Sequence, residues 1–170
     1  MTMNIPASSP PQHGFSLVEV LVAAVVFSLG LGGLSLMMLT SVHGSVEAQN
    51  QTTAAMQAAA LAELILLNPA ATGHYINPPT ATSEDCSAPV PCSSAAWAAG
   101  NLARWQYELE QNLAHAAGIV CLDATPNDGH AAEPSCDGDG RAVVKVFWLE
   151  PRHLEDDDGG LRRAVLPVAE

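Results

Sequence analysis

The chain has 170 residues, enough for one anchored domain of modest core but not for two domains of ordinary size. Its formal net charge is −12, from 18 acidic and 6 basic residues; apart from Glu19, every one of them lies at or beyond Glu47. A surface of that sign repels nucleic-acid backbones and anionic membranes, which argues against a nucleic-acid receptor and for a solvated surface outside the cell.

In chain order, residues 1–14 form a short polar leader ending in Gln12-His13-Gly14. An apolar run follows from Phe15 to Val42, broken by a single charge, Glu19. This run exceeds the roughly 20 residues that a bilayer requires. A carboxylate near the bilayer centre costs about 2.5–3.5 kcal/mol on insertion scales, so Glu19 calls for either a solvated helix end or a dedicated partner. Ala24, Ser28 and Gly32 recur at four-residue steps, a small-residue stripe of the kind that lets helices approach closely in lipid.

Helical spacing continues beyond the apolar run through Val42, Val46, Gln49, Thr53, Met56, Ala60, Leu64 and Leu67. Pro69 disfavours helical geometry at Asn68, so one helix of about 80 Å is predicted to end there. Residues 15–42 would span the membrane, and residues 43–68 would lay a weaker apolar face on a globular head, residues 69–170. Asn50-Gln-Thr52 fits a glycosylation pattern, but its place within a helix weakens that reading.

A Pro/Ser/Thr-rich connection from Pro69 to Ser94 precedes an amphipathic pattern of Trp97, Leu102, Trp105, Leu109 and Leu113. This predicts a second, short helix ending near Gly118, with its tryptophans in the core. Three strand-like runs follow, Ile119–Leu122, Ala142–Leu149 and Arg163–Val168, separated by segments rich in Gly, Pro and Asp. The expected class is α+β: a long N-terminal helix packed on a small antiparallel sheet, whose strand order the sequence leaves open.

All four cysteines, Cys86, Cys92, Cys121 and Cys136, follow the membrane segment, as expected for two disulfides formed in an oxidising compartment. Four cysteines allow three pairings. Cys86 with Cys92 and Cys121 with Cys136 are favoured, because each pair brackets a loop with little regular structure to hold it. The spacings do not match structural zinc sites, and the six histidines are scattered. Asp123–Gly129 and Asp137–Gly140 invite a calcium reading, but the full EF-hand spacing is missing, and turn chemistry explains their Asp, Asn and Gly content. No nucleophile elbow or phosphate loop is present, so neither enzymatic activity nor a cofactor is expected.

A polar leader ending in Gly14, then Phe15, then Glu19 as the fifth residue after that glycine, then an apolar helix, resembles the type IV prepilin signature. The resemblance implies that a membrane prepilin peptidase cuts after Gly14 and N-methylates Phe15. It also implies that Glu19 compensates the terminal amine of a neighbouring subunit. Phe15 to Leu34, with its Gly30-Leu-Gly-Gly33 cluster, is similar to the N-terminal helix of the PilV-type minor pilins, as are Cys121–Gly129, Cys136–Gly140 and Val143–Trp148. Leu36 stands where major pilins commonly carry a proline. Gln12 and His13 depart from the basic residue usual before the glycine, and the first basic residue is Arg104, so charge contributes little to orientation.

By this resemblance the fold is pilin-like, and the protein enters a type IV pilus, priming or capping it and supporting adhesion or twitching motility. The implied partners are minor and major pilins, the prepilin peptidase, a pilus-tip adhesin and the inner membrane, with a single pass and a periplasmic C-terminal head. A type II secretion pseudopilin is the nearest rival, since its processing signal and helix look alike. A membrane-tethered periplasmic binding module is the second rival; in it Glu19 would have no assembly role.

Overall fold

A computed structural model describes residues 14–76, 92–150 and 159–168. The chain divides into two compact units, Met1–Gly44 and Ser45–Glu170. Helix α1, Leu17–Leu67, supplies the regular structure of the described residues of the first unit and continues into the second. Through the first unit its apolar side chains are solvent-exposed in the isolated chain.

The second unit builds its core from one side of α1. The buried stripe is Ala54, Ala58, Leu61, Ala62 and Ile65. It is rotated by one residue from the expected stripe of Thr53, Met56, Ala60, Leu64 and Leu67. Met56 and Leu67 are exposed, and Leu64 is only partly buried. The run is alanine-rich on several sides, so hydrophobicity alone does not select a face; the selected stripe presents alanines, which permit close approach, with Leu61 and Ile65 as the larger anchors. α1 stops at Leu67 because Pro69 holds Asn68 outside helical geometry, at φ −140° and ψ 74°. The connection then forms a short 3-10 turn, Pro69–Ala71, and one turn of helix, α2, Thr72–Ile76.

Helix α3, Ser94–Asn112, starts on an N-cap: the Ser93 hydroxyl accepts the Ala96 amide at 3.2 Å. It ends earlier than Gly118 because Leu113 is already extended, at φ −131° and ψ 139°. Trp105 is buried and its indole Nε1 donates to the Gln57 carbonyl of α1 at 2.9 Å. Trp97, expected in the core, is 51% exposed. Eight residues separate the two, so their directions on a 3.6-residue helix differ by about 80°, and Ala98 occupies the core position beside Trp97.

Three strands, β1 (Ala117–Asp123), β2 (Arg141–Leu149) and β3 (Leu161–Pro167), form an antiparallel sheet in the order β1-β2-β3. Each strand lies within two residues of its expected position. Val120 of β1 and Val144, Val146 and Trp148 of β2 join the α1 stripe and the α3 residues Ala98, Leu102, Trp105 and Leu109 in one core. Gly118 sits in β1 and not at a helix end; its lack of a side chain leaves room for the Trp105 ring and Leu109, which a Cβ there would meet within 2.6 Å and 2.8 Å. This is the α+β, pilin-like arrangement: a long N-terminal helix, a three-stranded antiparallel sheet and short helices.

β2 breaks the alternation expected of a half-buried strand. Its odd-numbered residues face away from the helices, yet Val143, Lys145 and Phe147 are as buried as Val144 and Val146. The segment between β1 and β2 supplies cover on that side, where Lys145 reaches Asp128 and Pro134. Arg163 of β3 ties the same segment down by donating to the Gly129 carbonyl at 2.8 Å.

Candidate functional site

Two places concentrate chemistry, the start of α1 and the loop joining β1 to β2. Gly14 and Phe15 precede the helix and are exposed. The Ser16 carbonyl accepts the amides of Glu19 at 3.0 Å and Val20 at 3.3 Å, so regular hydrogen bonding starts immediately after them. The Gly14–Phe15 peptide therefore lies outside the helix, as a peptidase would require.

Glu19 occupies the first turn of α1, where the helix dipole favours negative charge. Its carboxylate makes no ion pair among the described residues. The hydroxyls farther along behave differently. Ser28 donates to the Val25 carbonyl, Ser35 to Leu31 and Thr40 to Met37, each at 2.9 Å, so these polar groups are satisfied within their own helix, as lipid demands. Ala24 and Gly32 are exposed on the same helix, and a Cβ added to Gly32 would meet nothing within 4 Å.

In the head, Cys121 of β1 is bonded to Cys136, with Cα atoms 6.1 Å apart and a sequence separation of 15. Cys92 is also disulfide-bonded, whereas Cys86 lies outside the described residues. The Cys121–Cys136 bridge closes a loop that crosses Lys145. Its ammonium is fully buried, forms an ion pair with the buried Asp123 carboxylate, and donates to the Pro134 carbonyl at 2.8 Å and Asp128 Oδ1 at 3.2 Å. The Lys145 hydrogen bond holds the Asp123 carboxyl below the usual carboxylate range; burial opposes this and the Thr125 amide reinforces it.

A second layer orders those groups. Asp137 Oδ2 accepts the amides of Ala124 at 3.1 Å and Thr125 at 3.3 Å, and the Thr125 hydroxyl donates to Asp128 Oδ2 at 3.0 Å. Gly140, at φ +86°, closes the loop where a Cβ would come within 2.6 Å of the Asp123 carbonyl. Cys121, Asp123 and Cys136 offer potential metal-ligand atoms within 4.8 Å of one another, but the two sulfurs are bonded to each other and supply no thiolate.

Sequence reasoning singled out Asp123–Gly129 and Asp137–Gly140 as acidic segments but missed their internal cation. The available signal was the chain's only lysine, set between valines in the most strand-like run. Glu150 was also missed. This buried carboxylate accepts from Asn50 Nδ2 and Trp148 Nε1, both at 2.9 Å, and thereby fastens β2 to α1. The same contact engages the Asn50 side chain that glycosylation would need.

Length and composition make α1 long and apolar enough to cross a membrane, with a mean hydropathy of 2.3 in its most apolar window. The family model described as the prokaryotic N-terminal methylation motif matches residues 10–35. No curated protein and no solved structure matches the chain. The motif implies processing by a prepilin peptidase, and with the apolar helix behind it supports a membrane-anchored, prepilin-like chain, a type IV pilin or pseudopilin.

Proposed function

We propose that the protein is a minor pilin that enters a type IV pilus and primes or caps it, supporting pilus biogenesis and through it adhesion or twitching motility. The observation that carries this reading is Glu19: one carboxylate without an ion partner among the described residues, at the head of a helix that carries no other charge before Glu47, inside a methylation motif. Cleavage after Gly14 would create a secondary amine on N-methylated Phe15. In a filament that cation, from a neighbouring subunit, would neutralise Glu19 in the apolar interior. Ala24, Ser28 and Gly32 would form the face on which neighbouring helices pack, since nothing among the described residues requires Gly32 to be small.

The partners in this reading are other minor and major pilins, the prepilin peptidase in the inner membrane and a pilus-tip adhesin. The head would face the periplasm before assembly and the cell surface after it. Its role would be structural, with no reaction catalysed. The type II secretion pseudopilin remains the second reading, because the methylation motif does not distinguish the two.

Intact-mass analysis of the chain from sheared surface pili and from membranes tests the proposal. The expected species begins at N-methylated Phe15, lacks four cysteine hydrogens and co-purifies with filaments. A processed chain confined to membranes would favour the pseudopilin, and an uncut Met1 terminus would overturn both readings.

A further inference from the structure

We propose that the Lys145 ammonium is the resident cation of the loop between β1 and β2, holding it closed in the place that a divalent metal would otherwise take. Four oxygens surround Nζ: Asp123 Oδ2, Asp128 Oδ1 at 3.2 Å, the Asp128 carbonyl at 3.4 Å and the Pro134 carbonyl at 2.8 Å. Two carboxylates and two carbonyls are a donor set suited to calcium, which binds hard oxygen ligands in loops of this composition. Here an ammonium with three N–H donors stands among them. Both Asp123 and Lys145 have fully buried side chains, so the attraction is little screened by salt.

The surrounding contacts make the arrangement a built one. Asp137 and Thr125 orient the loop backbone and Asp128, the Cys121–Cys136 bridge fixes the far end, and Lys145 projects from the central strand of the sheet. A tethered cation cannot dissociate, and it is present at all calcium concentrations. The loop of this head is therefore closed without a divalent ion, and removing the side chain should turn the vacated oxygens into a calcium site. This inference concerns the head alone and stands whether the protein is a pilus or a secretion subunit.

The test uses the full-length chain in detergent micelles, unfolded by heat in EGTA or in millimolar calcium chloride. The wild-type midpoint should be the same in both. Lys145→Ala, which clears the space, should unfold about 10 °C or more below wild type in EGTA and recover part of that loss with calcium. Lys145→Met, which fills the space without charge, should be similarly low and unresponsive. Calcium stabilisation of the wild type, or a Lys145→Ala chain that calcium fails to stabilise, would overturn the proposal.

A measurement on the unaltered protein removes any dependence on variant folding. Because Lys145 is the only lysine, an amine-reactive reagent followed by peptide mass analysis reads this site alone apart from the chain terminus. Modification in the native protein should be roughly 100-fold slower than in the urea-unfolded chain, since the loop must open first. Native modification at the unfolded rate would equally sink the idea.

Discussion

Glu19 and Lys145 are both single charges placed among apolar residues, yet the chain treats them in opposite ways. Lys145 meets four oxygens within its own fold, while Glu19 meets no opposite charge among the described residues. The hydroxyls of Ser28, Ser35 and Thr40, farther along α1, show that the helix can satisfy polar groups locally. A charge balanced internally is part of a fold; a charge left unbalanced on an apolar helix is what the proposed assembly role would use.

The largest expected effect separates those two cases directly. Glu19→Leu should leave membrane insertion intact and eliminate most filament incorporation, seen as loss from the sheared pilus fraction and retention in membranes; undiminished incorporation would erase the distinction between the two charges. Lys145→Met should do the reverse. It should cost the head about 3–5 kcal/mol by stranding Asp123, while pairing it with Asp123→Leu should recover most of that loss in chemical denaturation.

Removing the bridge with Cys121→Ser and Cys136→Ser should cost about 3 kcal/mol in the chain-entropy model for a loop of this length. Gly118→Ala should cost about 1–3 kcal/mol by pressing on Trp105, detectable as a lower unfolding midpoint without loss of processing. The smallest effect is in the pH profile. The Lys145 ammonium holds the Asp123 carboxyl below the ordinary aspartate value of 3.8, so its contribution to stability is present above that pH and disappears as pH falls through the folded value. The Lys145→Met, Asp123→Leu double variant should lack this acid-side loss, and an unchanged profile would place the sensitivity elsewhere.

Much of this was legible in the sequence because it depends on local rules. Proline marked the end of α1, strand-like runs between segments rich in Gly, Pro and Asp located the three strands, and the loop bracketed by Cys121 and Cys136 suggested the bridge that the structure forms. The leader and Glu19 were legible as a motif. Features that depended on three-dimensional competition were hidden. The alanine-rich part of α1 offered adjacent stripes, and only the shape of the head selected the one containing Ala54 and Ala58. Trp97 looked like core until Ala98 took the place. Lys145 drew no separate reading, because the oxygens that surround it come from a loop whose path periodicity does not encode.

A three-stranded sheet ordinarily has one well-protected strand at most, and only on the side that faces a helix. Here β2 lies between two edge strands and carries buried side chains on both faces, so its amides have no nearby route to solvent. In hydrogen exchange, β2 should therefore report the stability of the whole head, with protection falling toward the outer edges of β1 and β3. The loop does more than decorate the sheet. It gives a small domain the interior of a three-layer one, so that a subunit with a modest core can contain a strand released only by global unfolding.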